Sequence, residues 1–263
     1  MQLIREPLSR RNEVILGIIG VLGSALVLEL CIRTDIIAGA GLPLPTAVAE
    51  QAWGLLGDGH FWDQILFTLR EWMLGLLIAT VAGVVLGGLM GAVPTVFQMF
   101  LIPVEILRPL PSIAIGPLLV LIIGAGMLPL SLTVAIACMW PILFNAMYAV
   151  RAVDPVAIQT ARTLHITPTS IMTQVRLPAA LPFMFTGIRV AASIGLIVAV
   201  SAELLFGAGN GIGGYILLAS TSASNLDAVY AATLIAGVLG VLVSGAFAVL
   251  DKVAFGWKKG LAQ

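Results

Sequence analysis

The side chains able to do chemistry are few in this sequence and unevenly placed. Arg151, Asp154, Gln159, Arg162, His165, Gln174 and Arg176 fall in one stretch, RAVDPVAIQTARTLHITPTSIMTQVRLPAALP (151–182), with Thr or Ser at several positions between them. Outside it, Glu105, Arg108, Asn145 and Glu203 stand inside or at the edges of long apolar runs. Neither group makes a reaction centre. There is no Walker A motif, no HExxH, no CxxC and no Ser/His/Asp grouping, and the only histidines are His60 and His165. The reading is therefore not an enzyme, with no catalytic residue, no metal ligands and no cofactor site of its own. Gly209-x-Gly211-x-x-Gly214 matches the dinucleotide fingerprint formally, but no predicted strand precedes it and no βαβ unit surrounds it. What remains is binding. The polar stretch can present itself to a partner, and charges within apolar segments must face a cavity or another helix. Glu105, Arg108, Asn145 and Glu203 are the candidates for such a pathway. Glu105 and Arg108 are one helical turn apart, so they can instead form a purely structural ion pair.

These groups are positioned by a membrane protein. At 263 residues, 60% hydrophobic, 10% charged and a mean hydropathy of +1.09, a soluble domain is excluded. The net charge of zero implies no polyanionic partner, and no basic-aromatic interleaving suggests nucleic acid. Apolar runs near the ~20 residues that cross a bilayer predict six spans in one domain, 1–263: about 14–32, 69–90, 97–123, 129–148, 183–206 and 229–250. The first run exceeds the 7–15 residues typical of a signal peptide and reads as an uncleaved span. A surface helix is expected over 46–56, with Trp53, Phe61 and Trp62 at the membrane interface. Gly75, Ala79, Gly83, Gly87 and Gly91 recur every four residues, as do Gly187, Ala191, Gly195 and Ala199. Both read as packing stripes, because helices in lipid associate by close backbone approach. The third run is interrupted by Arg108-Pro109-Leu110-Pro111. The stretch 207–220 is too short to span, hence re-entrant or surface-lying. Cys31 and Cys138 read as small buried hydrophobes.

The polar stretch lies between the fourth and fifth spans. Asp154-Pro155 and Thr167-Pro168 each read as a helix start, a capping side chain followed by Pro at the first helical position. The result is helix, tight turn at His165, second helix, with the second predicted to end by Leu177 because Pro178 follows. Six spans put both termini on one side. That side carries Arg5, Arg10, Arg11, Arg151, Arg162, Arg176, Lys252, Lys258 and Lys259, against Arg33 and Arg70 near the other, so termini and loop are cytoplasmic by the positive-inside rule.

The polar stretch resembles the cytoplasmic "EAA" loop of ABC-transporter permeases: Glu-Ala-Ala, three residues, Gly, then a spacer ending in Leu-Pro. The matching positions are Gln159, Thr160 and Ala161, then His165, then Leu177-Pro178, so the family's Glu is Gln and its Gly is His. PLPTAVAEQAW (43–53), LRPLPSIAIGPLLVL (107–121) and AELLFGAGNGIGGYI (202–216) are most similar to permeases for sulfonates, taurine and nitrate. The resemblance implies an all-α permease of six transmembrane helices in a bacterial inner membrane. It implies an ATPase-coupling role for Gln159, Thr160, Ala161, Arg162, His165, Ile166, Leu177 and Pro178. The implied partners are a second permease copy, as a homodimer, two ATP-binding subunits that hold ATP and Mg, and a periplasmic or lipid-anchored substrate-binding protein. The implied substrate is a small anion, with other small solutes served by related permeases. Two other readings stay open. A self-sufficient secondary transporter would show inverted repeats and midplane carboxylates; no repeat is found. A membrane assembly factor without transport is the other.

Overall fold

The computed structural model describes residues 10–36, 42–221 and 225–256. Among them every regular element is helical. The order is α1 (Arg10–Arg33), α2 (Pro45–Leu56), α3 (Gly59–Ala92), α4 (Pro94–Leu107), α5 (Ser112–Ile123), α6 (Met127–Arg151), α7 (Pro155–Thr163), α8 (Pro168–Ile171), α9 (Leu177–Phe206), α10 (Gly211–Ser220) and α11 (Leu226–Ala254).

The second span is longer than predicted. Asp58 caps it by accepting the His60 amide at 2.9 Å, and ten residues ahead of 69 are already helical. Phe61, Ile65, Thr68 and Trp72 follow at helical spacing and are all buried. Phe61 is not the interfacial residue expected from sequence. It is fully buried, edge-on to Tyr215 at 5.0 Å, while Trp53 and Trp62 are exposed.

The small-residue stripe of α3 lies directly on α6. A Cβ added at Gly75 would stand 2.5 Å from the Ser131 carbonyl oxygen, at Gly83 2.9 Å from Ile142, and at Gly91 2.7 Å from the Met147 carbonyl oxygen. Gly87 sits against Leu143 and Ala146. The pairing advances equally along both helices, so α3 and α6 run parallel. Only α4 and α5 lie between them, and together they must carry the chain back across the membrane.

That fact settles the third span. The interruption read at Arg108-Pro109-Leu110-Pro111 is a bend of 93° that divides the run 97–123 between α4 and α5. Pro109 has no N–H to continue the ladder and Pro111 holds the extended conformation ahead of α5 (φ −69°, ψ 109°). Counted as one crossing, the broken pair gives six among the described residues.

Helix α9 runs antiparallel to α6, with Gly187 against Asn145 and Gly195 against Cys138 and Val134. Trp72, Leu76, Ala79, Val134, Cys138, Ile142, Ala191, Leu196 and Ala199 form the core where α3, α6 and α9 meet. The Trp72 indole donates to the Ala192 carbonyl at 2.9 Å and the Cys138 thiol to that of Ala191 at 3.2 Å. Helix α11 returns antiparallel to α9. Its start packs Ala231 and Ala232 by Ile212, and Phe255 beyond its end lies 5.4 Å from Phe185. Helix α1 is held at one end. Glu29 pairs with Arg33 at 2.7 Å and accepts the Thr46 amide and hydroxyl at 3.1 and 2.9 Å, while its apolar side chains from Ile15 to Leu30 are mostly exposed.

Gly87→Val should sharply lower the folded yield, because overpacking costs about 1–3 kcal/mol even where neighbours are side chains, and here a backbone carbonyl blocks the way. Gly20→Val on α1, where an added Cβ meets nothing, should leave yield and thermal midpoint unchanged. Size-exclusion of the two detergent-solubilised variants separates them; equal profiles would refute the packing role.

Candidate functional site

Helix α7 begins where Asp154 accepts the Val156 amide at 2.8 Å, with Pro155 in its first turn. It ends in two reverse bonds, His165 N to Arg162 O at 2.9 Å and Ile166 N to Ala161 O at 3.1 Å. This is the Schellman arrangement, in which the first of the two donors is the residue in the left-handed conformation. His165 is that residue, with φ 55°. Thr167 then caps α8, accepting the Ser170 amide at 3.3 Å. The inward face of α7 is Ala161, buried, with Ile158 and Ile166 half-buried; Val156, Gln159, Thr160, Arg162, Thr163, Leu164 and His165 are exposed. Leu164 is 68% exposed and Val156 66%, an apolar-polar surface without a covering element among the described residues.

The second helix does not stop at Leu177. A π turn, Met172–Arg176, joins α8 to α9 without a break. The wider turn carries a bond from Leu177 N to Met172 O, and gives the ring of Pro178 room where a tighter turn would clash. Leu177 and Pro178 are exposed on this joint.

The four candidate pathway residues are not brought together. Glu105 and Arg108 are both exposed and make no ion pair. Arg108 ends α4 at the bend, and its guanidinium stands 4.7 Å above the Phe144 ring of α6 instead. Arg151 does the same at 3.7 Å over Phe97. Asn145, beside Phe144, is half-buried and donates to the Pro141 carbonyl at 2.8 Å. Glu203 lies at the opposite end of α9, fully buried.

Residues 79–254, from mid-α3 through α11, match the family described as binding-protein-dependent transport system inner membrane component. The chain belongs to this family. It is 31% identical to a taurine transport system permease protein of Escherichia coli K12 over 76% of this chain and 74% of that one. It is 30% identical to a nitrate import permease protein of Leptolyngbya laminosa, covering 76% and 74% respectively. The fold is shared with a chain of the MetNI methionine ABC transporter in an inward-facing conformation, at a TM-score of 0.60 and 18% identity, over 76% of this chain and 95% of that one. The protein is thus a multi-pass transport permease and not an enzyme.

Sequence reasoning passed over several residues of this permease. Arg189, half-buried in α9, is a second cation inside a span, and its position within 183–206 was legible. Glu71 was not singled out: in a span started at 69 it falls at the helix end, whereas with α3 beginning at Gly59 it lies well inside. Glu71 and Glu203 are both fully buried and face one another. Gln64 and Thr68 join them at the start of α10. There the formal glycine fingerprint serves a turn: Ala208, Gly209 and Gly211 have φ of 53°, 85° and 78°. Helix α9, not a strand, precedes it.

Since a side chain at positive φ costs about 1–3 kcal/mol and a β-branched one is a true outlier, His165→Gly should match or exceed the wild-type thermal midpoint, and His165→Val should fall below it by several degrees. Identical midpoints in the two variants would show that the left-handed turn exerts no constraint.

Proposed function

We propose that this permease is the membrane subunit of an ATP-driven importer, working as a dimer and coupled to a separate ATPase through α7 and the turn at His165. The observation that carries the reading is the α7 face itself: a helix capped at both ends, packed on the protein through Ala161 and presenting Val156, Thr160, Thr163 and Leu164 outward. In this reading two ATP-binding subunits hold ATP and Mg, and a periplasmic or lipid-anchored binding protein delivers substrate to the other face. The basic residues at the chain ends and in 151–176 orient both termini and the loop to the cytoplasm of a bacterial inner membrane. In support, Phe255 and Phe185 place the end of α11 at the same end of the bundle as Arg151.

The proposed substrate is a small anion of the sulfonate, taurine or nitrate class. Its support is the taurine and nitrate permeases among the relatives, together with Arg108, whose charge Glu105 does not neutralise. An arginine over an aromatic face keeps its full charge available to an anion while the ring stabilises it by about 0.5–2 kcal/mol.

Thr160→Glu combined with Leu164→Glu leaves the buried face of α7 untouched. It should abolish co-purification with the co-expressed ATPase and lower reconstituted transport at least tenfold, with membrane insertion unchanged; normal transport would reject the docking assignment. Arg108→Gln should reduce uptake of taurine, a sulfonate or nitrate, whichever the wild type carries, while ATPase activity without substrate stays intact, and Arg108→Lys should retain part of the uptake. Adding Glu105→Gln should restore nothing, and a full rescue by it would place the two residues in a structural pair after all.

A further inference from the structure

Helix α10 starts inside the protein, and its own sequence does not cap it. Asn210, at the capping position, turns its amide to the Gly207 carbonyl at 3.3 Å. The first three free amides of α10 are taken by side chains of two other helices. Gly211 N donates to Gln64 Oε1 at 2.7 Å, Ile212 N to Thr68 Oγ1 at 3.0 Å, and Gly213 N to Glu203 Oε2 at 2.9 Å. The positive end of the α10 dipole therefore bears on Glu203, and both the dipole and the amide favour its ionised form. Glu71, fully buried on α3, lies against Glu203 within hydrogen-bonding reach. Neither of its oxygens, nor Oε1 of Glu203, has a donor from any other group.

We propose that Glu71 and Glu203 hold one proton between them at neutral pH, with Glu71 as the neutral acid donating to the Glu203 carboxylate, and that this proton seats α10 against α3 and α9. Two carboxylates side by side out of water cannot both stay ionised without a counter-charge. None faces them among the described residues. From α3, Arg70 lies on a different face, in a groove with Leu66, Met73 and Leu77. From α9, the other charged residue is Arg189, about four turns from Glu203. On α6 the charged residue is Arg151, at the other end of the helix over Phe97; Ser131, buried with its hydroxyl unpartnered, is neutral. From α10, Tyr215 packs on Phe61. The Gly213 amide donates to Glu203 at 2.9 Å, while the neighbouring Thr68 hydroxyl donates to the Gln64 carbonyl at 3.2 Å. A bound cation is disfavoured by the same helix end, whose amides point at Glu203. The assignment is asymmetric. Glu203 has the amide and keeps the charge; Glu71 has no donor and keeps the proton.

The test is infrared spectroscopy and thermal unfolding of the purified full-length protein in lipid nanodiscs. At pH 7 the wild type should show the C=O stretch of a buried neutral carboxylic acid, absent in Glu71→Gln and retained in Glu203→Gln. Glu71→Gln, which keeps a neutral donor in place, should melt within a few degrees of wild type at pH 7. Absence of the band in the wild type, or its survival in Glu71→Gln, overturns the proposal, and failure of Glu71→Gln to accumulate counts against it. If sodium chloride, compared with choline chloride at equal ionic strength, raised the wild-type midpoint but not that of Glu71→Gln, a bound cation would replace the proton and the proposal would fall.

Discussion

The contact on which the rest of the architecture depends is the approach of α3 to α6, backbone on backbone, through Gly75, Gly83, Gly87 and Gly91. In lipid there is no hydrophobic gain from burying one apolar helix against another, so dispersion at short range has to hold the pair. Glycine supplies that range. Because the two helices run the same way, the chain between them must return, which makes a crossing of α4 and α5 despite their bend. The direction of α6 in turn places α7 and α8 at the end where α3 finishes, and α9 starts its crossing from there.

A second constraint acts at helix ends. In hydrocarbon an unpaired amide has no water to turn to. At the aqueous end the structure solves this locally: Asp154 and Thr167 cap the helices they precede, and His165 closes a reverse turn. Within the bundle α10 relies on Gln64, Thr68 and Glu203 from elsewhere in the chain. The contrast follows from setting. A short helix at a surface can be closed by its neighbours in sequence, whereas one buried among spans is closed by whatever those spans bring to it.

That difference also governs what could be read from sequence. The caps, the His165 turn and the four-residue stripes are local or periodic patterns, and each is visible in a single line of residues. The family resemblance was drawn on the polar loop for the same reason, since its motif is contiguous. The break in the third span was legible in Pro109 and Pro111, but its angle was not, because hydropathy reports length and not direction. Pro178 was given too much weight: a proline ends a helix only where no wider turn can be built, and Met172–Arg176 builds one. The ion pair of Glu105 and Arg108 looked sound along one helix, but Arg108 found Phe144 on another. Glu71 was lost through a misplaced helix start, and its meeting with Glu203 joins residues more than 130 positions apart. No local pattern encodes such a contact.

The π turn has a mechanical consequence. Because α8 passes into α9 with no intervening loop, residues 168–206 form one continuous rod of 39 residues, about 58 Å long at helical rise. A loop would absorb a displacement; a rod delivers it. Between Pro168 and Glu203 no loop is present to take up a displacement, and the Glu203 carboxylate accepts an amide from the first turn of α10. The two ends of the permease that carry its polar chemistry are joined by a single stiff lever.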